Sequence, residues 1–333
     1  MSALPFQILG TGNYLPRQTV HSDAFDARWG LAAGTTFRQV GVRQRHVAAP
    51  DESSSFMAAR AAERALAAAG LQAEQLDVII SACAVMEQAI PCLGAQIQRA
   101  MGLGSSGIPA FDINATCLSF VVAMDLAASM VAVGRWKRVL IVSSEMPSAG
   151  LNPDDKNVAA LFGDGAAAAI VGLPLEGSES ALLCSHMRTY GEGAAHCQIR
   201  GGGTWLHAQK EVSDWRRSSW FEMDGRATYR LAARHFPDFL QTLLSRADRG
   251  MEDLSCIVPH QASGKALDHL CRALGVPAER LVRTLADLGN QVAASIPNAL
   301  HHAIGCGRLQ RGDTFALLGT GAGLSLGGLV LRY

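Results

Sequence analysis

Short apolar runs and longer amphipathic stretches alternate along the first half of the chain. Residues 77–83 and 137–144 form continuous apolar runs, which are typical of strands buried on both faces of a sheet. Residues 53–70 are rich in Ala, begin with Ser and end in Gly, which predicts a helix capped at both ends. Residues 121–133 predict a second, apolar helix that is followed by a glycine. This alternation indicates an α/β fold.

The second half shows the same two patterns and one weak stretch. Helices are predicted at 229–247, 265–274 and 296–306, and strands at 256–259 and 314–318. Residues 286–290 predict a strand that runs into a turn. Residues 182–220 have no clear period, so we expect surface loops and short strands there.

The two halves repeat one order of elements. In each, a helix precedes a buried strand, another helix follows, and a polar residue at a turn then leads into an apolar helix and a further strand. Cys117 occupies that turn in the first half and Asn290 in the second. This weak duplication predicts two packed βαβαβ halves, residues 1–172 and 173–333, each with a mainly parallel sheet covered by helices.

Three polar residues far apart in sequence stand at predicted strand ends. Cys117 follows the strand-like run 110–113, and His260 follows the strand 256–259. Asn290 is the last residue of the predicted strand and turn at 286–290. Ligands of such sheets gather at the carboxyl ends of the strands, so the three side chains predict one pocket. Cys117 also opens a helix, whose free N–H groups and dipole favour a thiolate. We therefore expect Cys117 to be a nucleophile.

Composition and charge exclude several classes of protein. The 29 basic and 29 acidic residues balance, so no positive field is available to bind a nucleic acid or an anionic membrane surface. No apolar run is long enough to span a membrane, and the N-terminus lacks the pattern of a signal peptide, which predicts a cytoplasmic protein. Eight cysteines without CxxC spacing indicate free thiols, and the histidines lack metal-ligand spacing. We expect no metal.

A cysteine, a histidine and an asparagine also serve papain-like proteases, but the sequence around Cys117 and the order of elements differ from that family. The same trio suits thioester chemistry. Cys117 would take an acyl group, and N–H donors of His260 and Asn290 would hold the oxygen of a second thioester as it becomes an enolate. Backbone N–H groups of Cys117 and of the turn at Gly321, Ala322 and Gly323 could form a separate oxyanion hole.

Eight segments, taken in order, resemble the β-ketoacyl-ACP synthase III family of the thiolase superfamily over essentially the whole chain. They are GTGNYLP (10–16), GVRQRHVAAPDE (41–52), PCLGAQIQ (91–98), the cysteine turn (110–120), FGDGAAAA (162–169), VPHQAS (258–263), GNQVAASIP (289–297) and GTGAG (319–323). The resemblance implies a five-layered α-β-α-β-α thiolase fold, a homodimer, and condensation of an acyl group from acyl-CoA or acyl-ACP with malonyl-ACP. It also implies that Cys117, His260 and Asn290 are catalytic and that no cofactor is needed besides these substrates.

The chain departs from that family where a CoA nucleotide is often held. A tryptophan and an arginine that clamp the adenine in many members are replaced by Thr35 and Gln39, although Arg38 is adjacent. Other replacements leave residues that could meet a phosphopantetheine carrier, namely Lys156, Ser263 and Lys265. Ala322 replaces a glycine of the C-terminal turn, which would restrict a positive φ there.

The resemblance also implies that the loop ending at Ile90 crosses the dimer and closes the partner's acyl pocket, where phenylalanine is common. The smaller Ile90 predicts a pocket for longer primers. Three functions stay open: a condensing enzyme, an acyltransferase that does not decarboxylate, and a non-catalytic partner subunit. The retention of all three polar residues, Cys117, His260 and Asn290, argues against the last. The intact Asn290 favours the first, because decarboxylation chiefly requires the enolate hole.

Overall fold

The computed structural model describes residues 3–207, 209 and 214–333 of the chain. The helices, numbered in chain order, are α1 (Ser22–Trp29), α2 (Thr35–Val40), α3 (Ser54–Ala69), α4 (Leu93–Ala100), α5 (Ser119–Ala132), α6 (Lys156–Ala159), α7 (Trp215–Ser218), α8 (Gly225–Ala247), α9 (Gly264–Leu274), α10 (Leu285–Leu288) and α11 (Ser295–Gly305). Within the described ranges, no helix combines the length and apolar character needed to cross a membrane.

The strands are numbered in the same way. They are β1 (Leu4–Pro5), β2 (Gln7–Tyr14), β3 (Gln18–His21), β4 (Gln44–Val47), β5 (Val78–Ser81), β6 (Ala110–Asp112), β7 (Arg138–Glu145), β8 (Gly165–Gly172), β9 (Ala181–Thr189), β10 (Cys197–Ile199), β11 (Phe221–Met223), β12 (Cys256–Pro259), β13 (Thr314–Gly321) and β14 (Ser325–Arg332).

Two five-stranded sheets share one topology. The first has the order β2-β8-β7-β5-β6, with β5 parallel to β6 and β7, and with β8 antiparallel to β7 and β2. The second has the order β1-β9-β14-β13-β12, with β12 parallel to β13 and the other pairs antiparallel. In the second sheet, an isolated parallel bridge between Ile257 and Leu281 lies beside β12. It occupies the position that β6 has beside β5 in the first sheet. The sheets are therefore duplicated, as predicted, but mixed rather than mainly parallel.

The layers follow from where the apolar faces are buried. The helices α5 and α11 pack between the sheets, and their side chains form one core with residues of both, such as Phe120, Ile141 and Leu317. A second core joins α3 and α4 to the outer face of the first sheet, and a third joins α8 and α9 to the outer face of the second. This α-β-α-β-α order confirms the predicted thiolase-like fold.

Two local predictions were wrong. Residues 182–220 do not consist of loops and short strands alone, since β9 is a nine-residue strand inside the second sheet. Its side chains alternate between buried and partly exposed, a pattern with a period of two that polar residues such as His186 conceal. Residues 286–290 are not a strand: α10 runs to Leu288, and Gly289 then turns the chain with a φ of 70°.

Candidate active site

Cys117 lies in a single 3₁₀ turn, Thr116–Leu118, between β6 and α5. Asn114 holds that turn, because its Oδ1 accepts a hydrogen bond of 2.9 Å from the Thr116 N–H. The Ser119 hydroxyl accepts another, of 3.0 Å, from the Ala115 N–H. Thr116 has a φ of 53°, which is uncommon for a residue other than glycine. The turn is thus fixed by its own side chains, and Cys117 stands half-buried at its centre.

Glycines on β13 bring the second sheet against this turn. A Cβ at Gly321 would lie 2.7 Å from Thr116 Oγ1, and a Cβ at Gly319 would lie 2.8 Å from the Leu118 side chain and 3.2 Å from His260 Cβ. A larger residue at either position would push the strand and the turn apart. These glycines therefore let the cysteine turn and the His260 segment meet.

His260 follows β12 directly and is held by its backbone, whose N–H donates to Leu318 O at 2.8 Å. The side chain is buried, and burial lowers the pKa of His260 to about 4. The imidazole is therefore neutral at pH 7, with one ring nitrogen as donor and the other as acceptor. Its Nδ1 has no hydrogen-bond partner among the described residues.

Asn290 is tied to the same segment. Its Nδ2 donates to Ala262 O at 3.2 Å, two residues beyond His260, and its Oδ1 accepts from the Val292 N–H at 2.9 Å. The Asn290 backbone also forms a parallel β-bridge with Phe162, a residue in the segment between β7 and β8. A primary amide has two N–H groups, so one stays available for a substrate oxygen. The segments that carry His260 and Asn290 are therefore adjacent, as expected.

The surroundings of Cys117 oppose the expected stabilisation of its thiolate. Burial, chiefly, raises the pKa of the Cys117 thiol to about 12, and the Glu145 carboxyl and Cys197 add to the effect. Hydrogen bonds from the backbone at Ala322 and at Cys117 itself act in the opposite direction but do not outweigh burial. The one-turn 3₁₀ segment before α5 offers little dipole. Cys117 must therefore lose its proton as it reacts.

The backbone N–H groups of Cys117 and Ala322 also belong to the predicted oxyanion hole. Backbone hydrogen bonds at Cys117 and Ala322 reach the sulfur, and Thr116 Oγ1 donates to Ala322 O at 3.4 Å. Ala322 does not have a positive φ, so the alanine is accommodated there, whereas Gly323 has a φ of 132°. Two of the four predicted oxyanion residues, Cys117 and Ala322, thus lie at the nucleophile.

Glu145 was missed by the sequence analysis. It is the last residue of β7, is almost fully buried, and accepts a 2.5 Å hydrogen bond from the Ala84 N–H, with further backbone donors at Val85 and Ala293. Burial nevertheless raises the pKa of Glu145 to about 8. The sequence does contain a signal for this site, since Glu145 is a charged residue at the end of an otherwise apolar strand. The predicted strand 137–144 ended one residue too early to include it.

The remaining predicted residues fall in different places. Ser263 and Lys265 line the same cavity as His260, and the Ser263 Oγ also caps α9 by accepting from the Ala266 N–H at 3.2 Å. Arg38 donates to Thr35 Oγ1 on the surface of α2. Lys156 is exposed at the start of α6 and lies 5.8 Å above the ring of Trp29. Arg38, Lys156 and Ile90 do not line the His260 cavity.

Two duplicated halves around a buried helix pair, with a cysteine, a histidine and an asparagine near the joined strand ends, define a condensing enzyme of the thiolase fold. The family model for the 3-oxoacyl-[acyl-carrier-protein] synthase III C terminal matches residues 244–333, and the model for 3-oxoacyl-[acyl-carrier-protein] synthase III matches residues 111–191. The chain belongs to the 3-oxoacyl-[acyl-carrier-protein] synthase III family.

Full-length relatives agree with this placement. The chain is 34% identical to the β-ketoacyl-[acyl-carrier-protein] synthase III of Rhodobacter capsulatus, with 98% of each chain covered. It is 32% identical to the β-ketoacyl-[acyl-carrier-protein] synthase III of Clostridioides difficile, again with 98% of each chain covered. The crystal structure of 3-oxoacyl-(acyl carrier protein) synthase III from Pseudomonas aeruginosa has a TM-score of 0.86 and 33% identity, covering 100% of this chain and 98% of that one.

Proposed function

We propose that the protein loads an acyl group on Cys117 and condenses it with malonyl-ACP in a decarboxylative Claisen reaction. The observation that carries the proposal is the joining of three segments. The cysteine turn packs on the glycines of β13 next to His260, and Asn290 is hydrogen-bonded to Ala262, two residues beyond that histidine. A nucleophile is thus combined with two neutral N–H donors, the set that such a condensation needs.

In the first half-reaction the Cys117 sulfur attacks the thioester carbonyl. Because its thiol has a raised pKa, the proton leaves during the attack, and the neutral imidazole of His260 can accept it. The backbone N–H groups of Cys117 and Ala322 stabilise the tetrahedral oxyanion. The carbon–sulfur bond of the donor then breaks, and the departing thiol takes the proton from His260. The acyl group stays on Cys117.

In the second half-reaction the carbonyl oxygen of malonyl-ACP accepts hydrogen bonds from His260 and Asn290. The bond to the free carboxylate breaks, CO₂ leaves, and the electron pair moves into an enolate that the two donors stabilise. Carbon 2 of this enolate attacks the acyl carbonyl, and the Cys117 sulfur departs as a thiolate that regains a proton from the solvent. No step needs a metal or a resident cofactor.

The carriers fit the charges around the cavity that ends at His260. Basic side chains line it and are exposed, namely Arg226, Arg230, Lys265 and Arg272. They are suited to the phosphates of CoA and to the phosphopantetheine and acidic surface of a carrier protein. Both acyl-CoA and acyl-ACP are therefore compatible donors, and we propose a cytoplasmic enzyme that meets both carriers.

We further propose a homodimer. Val85, Met86 and Ile90 lie in one loop and are 55%, 43% and 85% exposed. Large apolar side chains grouped in this way are suited to a subunit contact.

Intact-mass spectrometry tests the reaction in two stages. The protein is incubated with a panel of acyl-CoA and acyl-ACP thioesters, and then with malonyl-ACP. Cys117→Ala should gain no acyl mass. His260→Ala and Asn290→Ala should still be acylated, the former more slowly because it lacks the proton acceptor of the first step. Both should release CO₂ about 10²–10³ times more slowly. Acylation that survives in Cys117→Ala, or undiminished CO₂ release in both other variants, would contradict the mechanism.

A further inference from the structure

Three side-chain amides form a hydrogen-bonded row next to the Asn290 turn. Asn13 Nδ2 on β2 donates to Asn298 Oδ1 on α11 at 3.1 Å, and Asn298 Nδ2 donates to Gln291 Oε1 at 2.9 Å. Gln291 Nε2 then donates to the Asp164 carbonyl at 3.0 Å. Asn298 and Gln291 are each 1% exposed. This amide row therefore joins the edge strand of the first sheet to the residue that follows Asn290.

The carbonyl at the end of the row sets the direction of every hydrogen bond in it. A carbonyl oxygen only accepts, so Gln291 must present its Nε2 there and its Oε1 to Asn298. Asn298 must then donate to Gln291 and accept from Asn13. Reversing any one amide would bring two oxygens or two N–H groups together in a largely buried place, which is costly. The row therefore has a single arrangement.

The acceptor at the end of the row is rigidly held. The Asp164 side chain is fully buried and accepts from the Ala48 N–H at 2.9 Å. It also accepts from the Ser148 N–H at 3.0 Å and from the Ser148 hydroxyl at 2.6 Å. Gly165 leaves room for the glutamine, since a Cβ there would lie 2.1 Å from Gln291 Nε2. The Gln291 side chain is thus tied to a fixed point of the first half.

The equivalent turn of the first half, before Cys117, lacks these amides. In each turn a serine hydroxyl accepts a 3.0 Å hydrogen bond from the N–H four residues earlier. When the two serines are aligned, Gln291 takes the place of Ala115, and Asn298 takes the place of Val122. The first turn forms with apolar residues at both positions. The amides of the second turn are therefore not needed to build it.

Asn290 is the reactive group beside the row. Its backbone N–H donates to Leu161 O at 2.9 Å, and its carbonyl accepts from the Gly163 N–H at 3.1 Å. Its Nδ2 donates to Ala262 O at 3.2 Å, so the side chain itself has only one donor contact. The Gln291 side chain adds an attachment at the next residue. A shift of this turn would change the direction of the Asn290 N–H, and hydrogen bonds weaken steeply when they are misaligned.

We propose that Gln291 and Asn298 are positioning residues for Asn290, and that the amide row holds the Asn290 amide where the malonyl-derived enolate forms. The proposal rests on the proposed function, which supplies that enolate. The amides of both residues are engaged within the row, so they act through the turn and not on the substrate. Release of CO₂ depends on them, whereas acylation of Cys117 does not.

A double-mutant cycle on the rate of CO₂ release from malonyl-ACP tests this role. Asn298→Leu keeps the approximate size of the side chain but removes both of its hydrogen bonds. It should slow CO₂ release about tenfold and leave the rate of acyl mass gain unchanged. In the Asn290→Ala background it should cause no further loss, because the amide on which it acts is gone. An equal loss in both backgrounds would overturn the proposal.

Thr11→Val is the matched control. Thr11 Oγ1 and His301 Nδ1 form another hydrogen bond between β2 and α11, at 2.9 Å and about one helical turn from Asn298. Its loss should lower Tm without slowing CO₂ release. Slower CO₂ release in Thr11→Val than in the wild type would show that any weakening of this contact suffices, and would overturn the specific role of the row.

A double replacement separates position from stability. Gln291→Met combined with Asn298→Leu removes the two buried amides together, so fewer polar groups lose their partners and Tm should exceed that of Asn298→Leu alone. CO₂ release should stay slow, because nothing ties the turn to the Asp164 carbonyl. Recovery of CO₂ release together with Tm would overturn the proposal.

Hydrogen exchange, followed by peptide mass spectrometry, gives a readout that does not require turnover. Peptides that cover residues 289–295 should exchange faster in Asn298→Leu than in the wild type, and at the wild-type rate in Thr11→Val. Unchanged exchange in Asn298→Leu would overturn the positioning role whatever the enzyme does with malonyl-ACP. Failure of the condensation itself is detected separately, by acyl mass and CO₂ release in the wild-type enzyme.

Discussion

Asn114 and Asn290 hold equivalent turns in the two halves of the molecule. The Oδ1 of each accepts a 2.9 Å hydrogen bond from the N–H two residues on, at Thr116 and Val292, and both of those residues have a positive φ. Each Nδ2 donates to the loop after a parallel strand, at Ala84 O and Ala262 O. The internal counterpart of Asn290 is therefore Asn114, three residues before Cys117, and one repeated turn supplies a thiol in the first half and an amide in the second.

Asn114→Ala should slow acylation of Cys117 by about tenfold, because the loss of a hydrogen bond that fixes the turn is worth about 1 kcal/mol or more. Asn114→Asp keeps an oxygen for the Thr116 N–H but loses the hydrogen bond to Ala84 O, so it should recover only part of the rate. The measurement is the rate of acyl mass gain, with CO₂ release from malonyl-ACP as the control for His260 and Asn290. An Asn114→Ala protein that acylates at the wild-type rate would contradict this role.

Cys117 should behave as a thiol of high pKa. Its rate of alkylation by iodoacetamide should rise about tenfold per pH unit from pH 7 to pH 10 without a plateau, because the thiolate fraction keeps growing below a pKa of about 12. The modification is followed by peptide mass spectrometry at each pH. Cys306, which is exposed, serves as the internal comparison. A plateau for Cys117 near neutral pH would show that the helix N-terminus does stabilise the thiolate.

Glu145 should modulate that reactivity. Its pKa is about 8, so it is mostly protonated at pH 6 and mostly ionised at pH 10, where its charge opposes the Cys117 thiolate. Glu145→Gln should therefore speed alkylation of Cys117 above pH 8 and have little effect at pH 6. An equal change at both pH values would mean that the substitution acts through structure and not through charge.

Glu145 also makes a prediction about stability. A carboxyl whose folded pKa is raised from 4.5 to about 8 binds a proton in the folded state that the unfolded state has lost, so the wild type loses stability as pH rises through this window. Glu145→Gln lacks this dependence. The difference in Tm, variant minus wild type, should increase from pH 5 to pH 8. A difference that is constant or decreases would show that the carboxyl is already ionised at pH 5.

His260 should stay neutral well into the acid range. Because burial lowers the pKa of His260 from 6.5 to about 4, the ring keeps an unprotonated nitrogen that can accept the Cys117 proton. The acylation rate should therefore show no loss with an ordinary histidine pKa between pH 7 and pH 5.5. The unfolded state binds the extra proton first, so this residue makes the fold less stable as pH falls from 6.5 towards 4. His260→Asn should reduce that loss, as measured by urea unfolding at pH 7 and pH 5. An equal loss in both proteins would contradict the assignment.

The sequence was sufficient for the layered α/β fold because its central elements are strongly patterned. The strands β5 and β7 read as apolar runs, and α3 carries both caps, with Ser53 accepting from the Phe56 N–H and Gly70 in the left-handed region. The antiparallel strand β9 was not predicted, because polar residues interrupt its apolar pattern. The strand β14 was not predicted, since its link to β13 was read only as a glycine turn.

The site was predicted less completely than the fold. The sequence pattern places Cys117 and His260 after strands, whereas Asn290 follows the helix α10. The pKa of a thiol depends on burial and on neighbours distant in sequence, such as Glu145 and Cys197. The cavity between α8 and α9 depends on how these two helices pack, and a row of alanines in the sequence does not show whether a neighbouring element fills the space beside it. Both features depend on three-dimensional packing between segments that are distant in sequence.

Ile90 makes the last prediction, which concerns the primer. The side chain is 85% exposed in the single chain, so it closes no pocket of its own subunit and is free to enter that of a partner. Isoleucine is smaller than phenylalanine and not planar, and each methylene of primer that fits the extra space contributes roughly 0.8 kcal/mol. The wild type should therefore acylate with hexanoyl or octanoyl donors at least as fast as with acetyl donors. Ile90→Phe should shift the ratio towards acetyl, whereas Ile90→Leu, which conserves volume, should not. A strong acetyl preference in the wild type that the phenylalanine leaves unchanged would show that other residues set the length.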